Sequence, residues 1–165
     1  GLSRRSKPSD YSVMLREKQK VKRMYGLREQ QFKNYFLAAA KKKGVTGETL
    51  LTLLESRMDS VVYRMGFAVS RPQAKQLVSH GLFALNGRRV DIPSIMIKPG
   101  DVIEALPGKK DNKFFEQLLA VKPKEEYSWV DVDRKNLKGK FTSLPIREQL
   151  DPSIEEQLIV EFYSK

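Results

Sequence analysis

The chain is expected to fold as an α+β protein. Three observations point there: apolar residues at helical spacing between capping residues, an Asn86-Gly87 pair between two strand-like runs, and turn signals that cut the remaining residues into short strands. Helices repeat their buried positions every three or four residues and strands every two, so the patterns can be told apart along the chain. Hydrophobic content of 40% in 165 residues is enough for a core, with roughly 70% of the unfolded surface buried in a compact form.

Gly1 to Ser9 is rich in Arg, Lys and Ser with Pro8 and is expected to be an extended basic arm, ordered only where a partner holds it. Ser9 or Asp10 can cap a helix running to about Tyr25 and stopping at Gly26. Val13, Val21 and Met24 give it an apolar side, while Lys18, Lys22 and Arg23 add cationic surface. A second helix, from Arg28 to about Lys43, carries Phe32, Phe36, Ala39 and Ala40 inward and Lys33 outward, and Gly44 ends it. A third starts near Gly47-Glu48 and includes Leu50, Leu51, Leu53 and Leu54.

The central segment is the most informative. Leu54, Met58, Val61, Val62 and Met65 form one buried stripe, so a single helix is expected through them, with Gly66 after its last turn. Arg57 and Arg64 lie seven residues apart and should share an exposed face. Ser70 begins another helix, with Pro72 tolerated in its first turn and Gln73 in capping-box register. Ala74, Leu77 and Val78 pack inward, Arg71 and Lys75 stand on an exposed face, and Gly81 stops the helix after His80. Asn86-Gly87 then joins Leu82–Leu85 to Arg88–Ile92, because a type I′ hairpin turn needs positive φ at both central residues. The turn lifts Arg88 and Arg89 beside the helices. A further turn at Lys98-Pro99-Gly100-Asp101 leads into the strand Val102–Ala105.

Beyond it, Pro107 to Lys110 reads as loop, Asp111 caps a helix to about Ala120, and residues 121–128 connect. Trp129–Asp133 and Lys140–Leu144 read as strands joined around Asn136 to Gly139. Asp151-Pro152 opens a last helix from Ser153 to about Tyr163.

Composition removes several classes of function. Without cysteine there is no disulfide and no thiolate metal site, and His80 alone cannot build a zinc site. No run approaches the roughly 18 apolar residues of a membrane span, and no apolar segment follows the basic N-terminus as a secretory signal requires. The acid pairs Glu125-Glu126 and Glu155-Glu156 are neighbours that point apart, with no nucleophile or base motif nearby. No cofactor, metal or catalytic residue is expected, and the default location is the cytosol.

Charge is distributed unevenly. Of the net +11, residues 1–45 carry +10 and residues 57–89 carry +5, whereas residues 90–165 carry −2. Between Arg57 and Arg89, the cations Arg57, Arg64, Arg71, Lys75, Arg88 and Arg89 face a single acid, Asp59. Such segmental excess is the footprint of a polyanion-binding surface, with nucleic acid the first candidate. Arg suits phosphate because its planar fork can bind two oxygens. Some of these arginines can instead pair internally with Glu55, Asp59 or Glu104. Arg57 and Asp59 are too close in sequence to face each other on a helix, which leaves Arg64 as the candidate for a structural pair. Tyr11, Tyr25, Phe67 and Phe83 are expected in packing rather than base stacking, and Trp129 in the core.

The run Leu54-Glu55-Ser56-Arg57-Met58-Asp59-Ser60-Val61-Val62-Tyr63-Arg64-Met65-Gly66-Phe67, with Gln76-Leu77-Val78-Ser79-His80-Gly81 and Val90-Asp91-Ile92-Pro93-Ser94, closely resembles the bacterial ribosomal protein S-four family. Ser9-Asp10-Tyr11 with Met24-Tyr25-Gly26-Leu27, and Leu158 to Lys165, resemble that family's first helix and C-terminal signature. The resemblance covers nearly the whole chain. It implies that the C-terminal helix returns to the N-terminal helices, so the middle is an insertion in a discontinuous helical domain. The expected parts are a basic arm at 1–9, helical residues 10–53, an inserted α+β RNA-binding domain at 54–146 with its helix–hairpin core at 54–105, and a returning segment at 147–165.

The resemblance also implies a primary rRNA-binding protein of the small subunit, without enzymatic activity, that clamps a multi-helix RNA junction and starts assembly. Its implied partners are rRNA, neighbouring proteins such as ribosomal protein S-five, and mRNA near its channel into the ribosome. The residues expected at RNA are Arg4, Arg5, Lys7, Lys18, Lys22, Arg23, Arg28, Lys33, Arg57, Arg64, Arg71, Lys75, Gln76, His80, Arg88 and Arg89, with Arg4, Arg5 and Lys7 at the arm nearest mRNA. Family members usually have a further N-terminal segment, sometimes with a cysteine metal knuckle, and commonly Tyr where Ile95 stands here. Ser12 replaces a frequent Gly. RNA-modifying enzymes and tRNA synthetases also append this helix–hairpin module, but the segments outside 54–105 match the ribosomal family. A free-standing RNA-binding factor is the alternative reading.

Overall fold

In the computed structural model, which describes residues 9–123 and 125–164, Ser9 opens the first helix by accepting a hydrogen bond from the Ser12 N–H at 3.1 Å. That helix, α1, spans Asp10–Met24. Gly26, at φ 67°, takes the left-handed conformation that ends it. Helices α2 (Glu29–Lys41) and α3 (Thr46–Glu55) follow. Then come α4 (Met58–Arg64) and α5 (Arg71–Ser79). The hairpin strands are β1 (Phe83–Leu85) and β2 (Arg88–Val90), followed by β3 (Val102–Ala105) and α6 (Lys113–Leu119). Strands β4 (Val130–Asp133) and β5 (Lys138–Phe141) precede α7 (Glu156–Tyr163). The fold is α+β, as expected. No helix among the described residues is long and apolar enough to cross a membrane.

The chain forms two compact units: residues up to Leu51 with those from Leu150 onward, and Thr52–Gln149. The first is therefore discontinuous in sequence. Its α7 packs along α1, and both helices bury apolar residues with Phe32, Phe36 and Ala39 of α2. Tyr163 stacks on Phe36 with centroids 4.8 Å apart, and Tyr11, although largely exposed, lays its ring against Phe162 at 5.6 Å. Aromatic pairs at these separations add about 0.5–1.5 kcal/mol beyond their buried area.

The second unit is built on an antiparallel five-stranded sheet in the order β2-β1-β3-β5-β4. Asn86 and Gly87, at φ 51° and 86°, make the hairpin turn that the sequence predicts. Phe83 pairs with Ala105 and Leu85 with Ile103, which places Phe83 and Ile103 in a core shared with Met65, Phe67 and Phe115. At Gly139 of β5 a Cβ would come within 2.5 Å of the Met65 sulfur. Glycine there lets the end of α4 press onto the sheet.

Several element boundaries differ from the sequence expectation. The helix expected through residues 54–65 is broken: α3 ends at Glu55, Arg57 is extended at φ −67° and ψ 147°, and α4 starts at Met58. Long-range backbone pairing replaces the helical hydrogen bonds at the break. Met58 N–H donates to Ile95 O at 2.8 Å, Ile97 N–H to Ser56 O at 2.7 Å, and Asp59 N–H to Pro93 O at 3.1 Å. Asn112, not Asp111, caps α6, by accepting from Phe114 N–H at 2.8 Å. Strand β5 begins two residues before the expected Lys140, because Leu137 adopts φ 51° and closes the turn early. The last helix starts at Glu156 rather than Ser153, since the Asp151 side chain accepts from Ser153 N–H at 2.8 Å and holds that stretch as a turn.

A polar cluster fastens the ends of the first unit. Lys18 and Tyr163 both donate to the Glu29 carboxylate, the latter at 2.8 Å, and Lys22 lies 3.8 Å away. Partial burial works against the Glu29 charge, but the hydrogen bonds from Lys18 and Tyr163 and the two ammonium charges outweigh it and lower its pKa. The same contact, after burial, pushes the Tyr163 phenol well above its ordinary value. A carboxyl with a depressed folded pKa contributes stability fully above its ordinary value of 4.5 and loses it as pH falls through the folded value. Glu29→Gln should therefore flatten the acid limb of the stability–pH curve measured by denaturant unfolding. A limb identical to that of the parent chain would show that the cluster is not coupled to folding.

Candidate nucleic-acid interface

The sequence-predicted cations divide into two sets once side chains are placed. The outward set lies on α5 and the hairpin. Ser70 caps α5 by accepting from Gln73 N–H at 3.2 Å, and Gln73 Oε1 accepts from Val69 N–H at 2.7 Å. With Ala74, Leu77 and Val78 buried, Lys75, Gln76 and His80 face solvent, His80 at the C-cap. Arg88 and Arg89 of β2 are also exposed. Arg89 Nε donates to Gly81 O at 3.2 Å, and its guanidinium covers Gly81 so closely that a Cβ there would overlap it. Gly81 sits at φ 72°. A glycine at this point thus serves two ends, terminating α5 and giving Arg89 a place beside it.

The inward set corrects the expectation of a shared exposed face. Arg57 is only 1% exposed. It precedes α4 instead of lying on it, and the extended backbone turns its fork back onto Asp59, with Nε–Oδ1 at 3.1 Å and Nη2–Oδ2 at 3.0 Å. The objection that residues two apart cannot face each other holds within a helix and fails at its start. Arg64 is not on an open face either. Its Nε and Nη2 donate to the fully buried Glu55 at 2.9 and 2.7 Å, and the ring of Tyr127 lies 4.8 Å from its guanidinium. Arg71, expected beside Lys75 on the surface, reaches the same carboxylate at 3.0 Å and donates to Ser60 Oγ at 2.7 Å. Glu55 thereby joins the C-terminal end of α3, the last turn of α4 and the first residue of α5.

In the first unit Lys18 is 4% exposed, paired with Glu29 and lying 4.9 Å from the Phe162 ring centroid. Lys22 is half-buried near the same carboxylate. Neither supplies the open cationic surface expected of it, because α7 and the start of α2 cover that side of α1. Arg23, Arg28 and Lys33 are exposed as expected, and Arg16 and Lys20, outside the predicted set, join Arg23 on the open side. The signal for them was present: Met14, Val21 and Tyr25 mark the buried stripe, which puts Lys18 inside it and Arg16 and Arg23 opposite. Arg4, Arg5 and Lys7 lie outside the described residues. Tyr25, Phe67, Phe83 and Trp129 are buried, as the sequence predicts.

A helix–hairpin unit that neutralises some arginines internally and leaves other cations outside has the build of a polyanion-binding module. Comparison with known proteins agrees. The family model described as ribosomal protein S4/S9 N-terminal domain matches residues 1–55, and that of the S4 domain matches residues 56–103. The small ribosomal subunit protein uS4 of Thermodesulfovibrio yellowstonii is 55% identical over 162 residues, covering 98% of this chain and 78% of that protein. Its counterpart from Thermus thermophilus is 52% identical over 166 residues, covering 100% and 79%, and that from Dictyoglomus turgidum 53% over 160, covering 96% and 77%. The chain belongs to the uS4 family of small ribosomal subunit proteins.

Two outcomes are expected from this geometry. Glu55→Gln removes the buried carboxylate that Arg64 and Arg71 share, and should cost about 3–5 kcal/mol of unfolding free energy, measured by urea titration. A loss below 1 kcal/mol would mean that Arg64 and Arg71 find water or another partner. Gly81→Ala should weaken binding to small-subunit rRNA as much as Arg89→Ala does, and adding it to Arg89→Ala should weaken binding no further. Additive losses in filter binding would show that Gly81 does not position Arg89.

Proposed function

We propose that the chain is a structural component of the small ribosomal subunit that binds its rRNA directly, and that Lys75, Gln76, His80, Arg88 and Arg89 form its central contact surface. The observation that carries this reading is the exposure of these groups on α5 and the adjoining hairpin, on a scaffold braced by buried ion pairs, in a member of the uS4 family. Arg23, Arg28, Lys33 and, from the sequence, Arg4, Arg5 and Lys7 extend the cationic surface.

A-form RNA hides its base edges in a deep major groove, so recognition rests on phosphates, 2′-hydroxyls and backbone shape. Cations from both compact units can then grip separate RNA helices at a junction and hold them in one mutual orientation. Fixing that orientation early is how such a protein starts subunit assembly. The resemblance to the ribosomal family supports neighbours that include ribosomal protein S-five, and a place near the mRNA-entrance channel with an influence on accuracy. It also supports a location in the cytoplasmic ribosome. The role is structural, with no reaction assigned.

Neutralisation of about 6–10 phosphates lowers affinity roughly 10³–10⁵-fold between 50 and 200 mM salt. Hydroxyl-radical footprinting of purified small-subunit rRNA should show protection by the parent chain that is lost with Lys75→Ala/Arg88→Ala/Arg89→Ala, while circular dichroism remains unchanged. Sucrose-gradient sedimentation should retain the protein stoichiometrically in high-salt-washed small subunits. Release in the wash, with no protected nucleotides, would favour a free-standing factor and overturn the ribosomal assignment.

A further inference from the structure

We infer that Asn86 is a site of spontaneous deamidation, and that its conversion to a carboxylate undoes the latch that holds the hairpin turn to β3 and loosens the strand carrying Arg88 and Arg89. Only the effect on binding rests on the rRNA-binding reading above; the chemistry and the latch stand on the turn itself.

Three hydrogen bonds tie Asn86 to the start of β3. Its backbone N–H donates to Val102 O at 2.8 Å. Its side-chain Nδ2 donates to Asp101 Oδ1 at 2.9 Å, and its Oδ1 accepts from Val102 N–H at 2.8 Å. The second oxygen of Asp101 accepts from Lys98 N–H at 2.8 Å. Asp101 therefore acts as acceptor on both sides, and the amide of Asn86 is the group that supplies a donor to it. The strand beyond the turn, β2, is the edge of the sheet and pairs with β1 alone. Its placement depends on the turn.

Asn86-Gly87 is the one Asn-Gly pair of the sequence; the other asparagines precede Tyr35, Lys113 and Leu137. Glycine has no side chain to shield its amide nitrogen, and this turn is exposed to water and hydroxide. The Gly87 nitrogen attacks Asn86 Cγ, the Cγ–Nδ2 bond breaks, and the Gly87 amide proton leaves with the amino group as ammonia. Water then opens the cyclic imide. Cleavage of the bond from the Gly87 nitrogen to Cγ gives aspartate. Cleavage of its bond to the backbone carbonyl carbon gives isoaspartate, whose main chain is longer by one methylene. Ring closure requires Cγ to turn onto the Gly87 nitrogen, so the two side-chain bonds to Asp101 and Val102 must break first. Losing them beforehand slows the reaction on the order of 5–100-fold relative to a free peptide.

Either product damages the latch. Aspartate places a second carboxylate oxygen against Asp101 Oδ1 where a donor stood, and like charges at that separation repel. Isoaspartate adds a backbone atom to a two-residue turn whose geometry sets the strand register. Arg88, paired with Leu85, and Arg89, paired with Ala84, are the next residues along.

The test has two arms. In the first, the full chain, Asp101→Ala and a synthetic peptide of residues 82–92 are held at mildly alkaline pH, and conversion at Asn86 is followed by peptide mapping. The parent should convert on the order of 5–100-fold more slowly than the peptide. Asp101→Ala, with its circular dichroism unchanged, should fall between them. A parent that does not convert, or converts at the peptide's rate, overturns the inference. In the second arm, Asn86→Asp should lower the thermal midpoint, weaken binding to small-subunit rRNA and reduce the slope of log affinity against log salt by about 1–2. Asn86→Asp/Asp101→Asn exchanges donor and acceptor at constant net charge and should recover the parent values. A single variant with the parent midpoint, or a double variant that stays impaired, overturns the latch. Absence of rRNA binding by the parent chain overturns the functional reading, while the mapping and the midpoints still decide the fate of Asn86.

Discussion

A single carboxylate, Glu55, sits fully buried at the meeting point of three helices and accepts hydrogen bonds from two arginines. Removing a carboxylate from water is expensive, and the position is tolerable only because Arg64 contributes a two-armed contact and Arg71 a third bond. The geometry is demanding. Arg64 must leave the last turn of α4, and Arg71 must enter at the first residue of α5, with both forks on one carboxylate. Satisfying it fixes the angle between α4 and α5, and through α5 the outward direction of Lys75, Gln76 and His80. The outward direction of those side chains is therefore set from inside, by a buried carboxylate.

This arrangement changes what the basic composition means. Of the six cations between residues 57 and 89, Arg57, Arg64 and Arg71 are engaged with buried acids, and Lys75, Arg88 and Arg89 face solvent. Two guanidiniums share Glu55, so these three side chains together carry one more positive than negative charge. Positive potential close behind a surface raises the local attraction for a polyanion without any direct contact. The internal arginines thus serve structure first and the field second. In the first unit the same division recurs on one helix, where Lys18 anchors α1 to Glu29 and Arg16 and Arg23 remain outside.

The legible parts of the chain are those governed by local rules. Ser9, Ser70 and Gly26 mark helix ends through single hydrogen bonds or a backbone conformation, and Asn86-Gly87 specifies its turn by φ alone. Exposed cations such as Lys75, Arg88 and Arg89 follow from knowing which neighbours are buried. What was not legible depends on distant partners. The break at Ser56-Arg57 exists because residues 93–97 come alongside and supply backbone hydrogen bonds. The burial of Lys18 requires Phe162, 144 positions later in the chain. Arg16 and Lys20 were legible in principle from the stripe around Met14 and Val21, but the apolar Val13 and Met24 drew the eye to the wrong face.

Composition, capping residues and turn chemistry were enough to establish an α+β chain with a basic bias, and motif order was enough to indicate its family. These are properties of short segments and of totals, which do not change when the chain folds. Folding decided which positive charges face outward and which are buried with a carboxylate. An arginine next to an acid in sequence and one next to an acid in space look alike on the page; only the second has a defined distance, and Coulomb energy and desolvation both depend on distance and burial rather than on order along the chain.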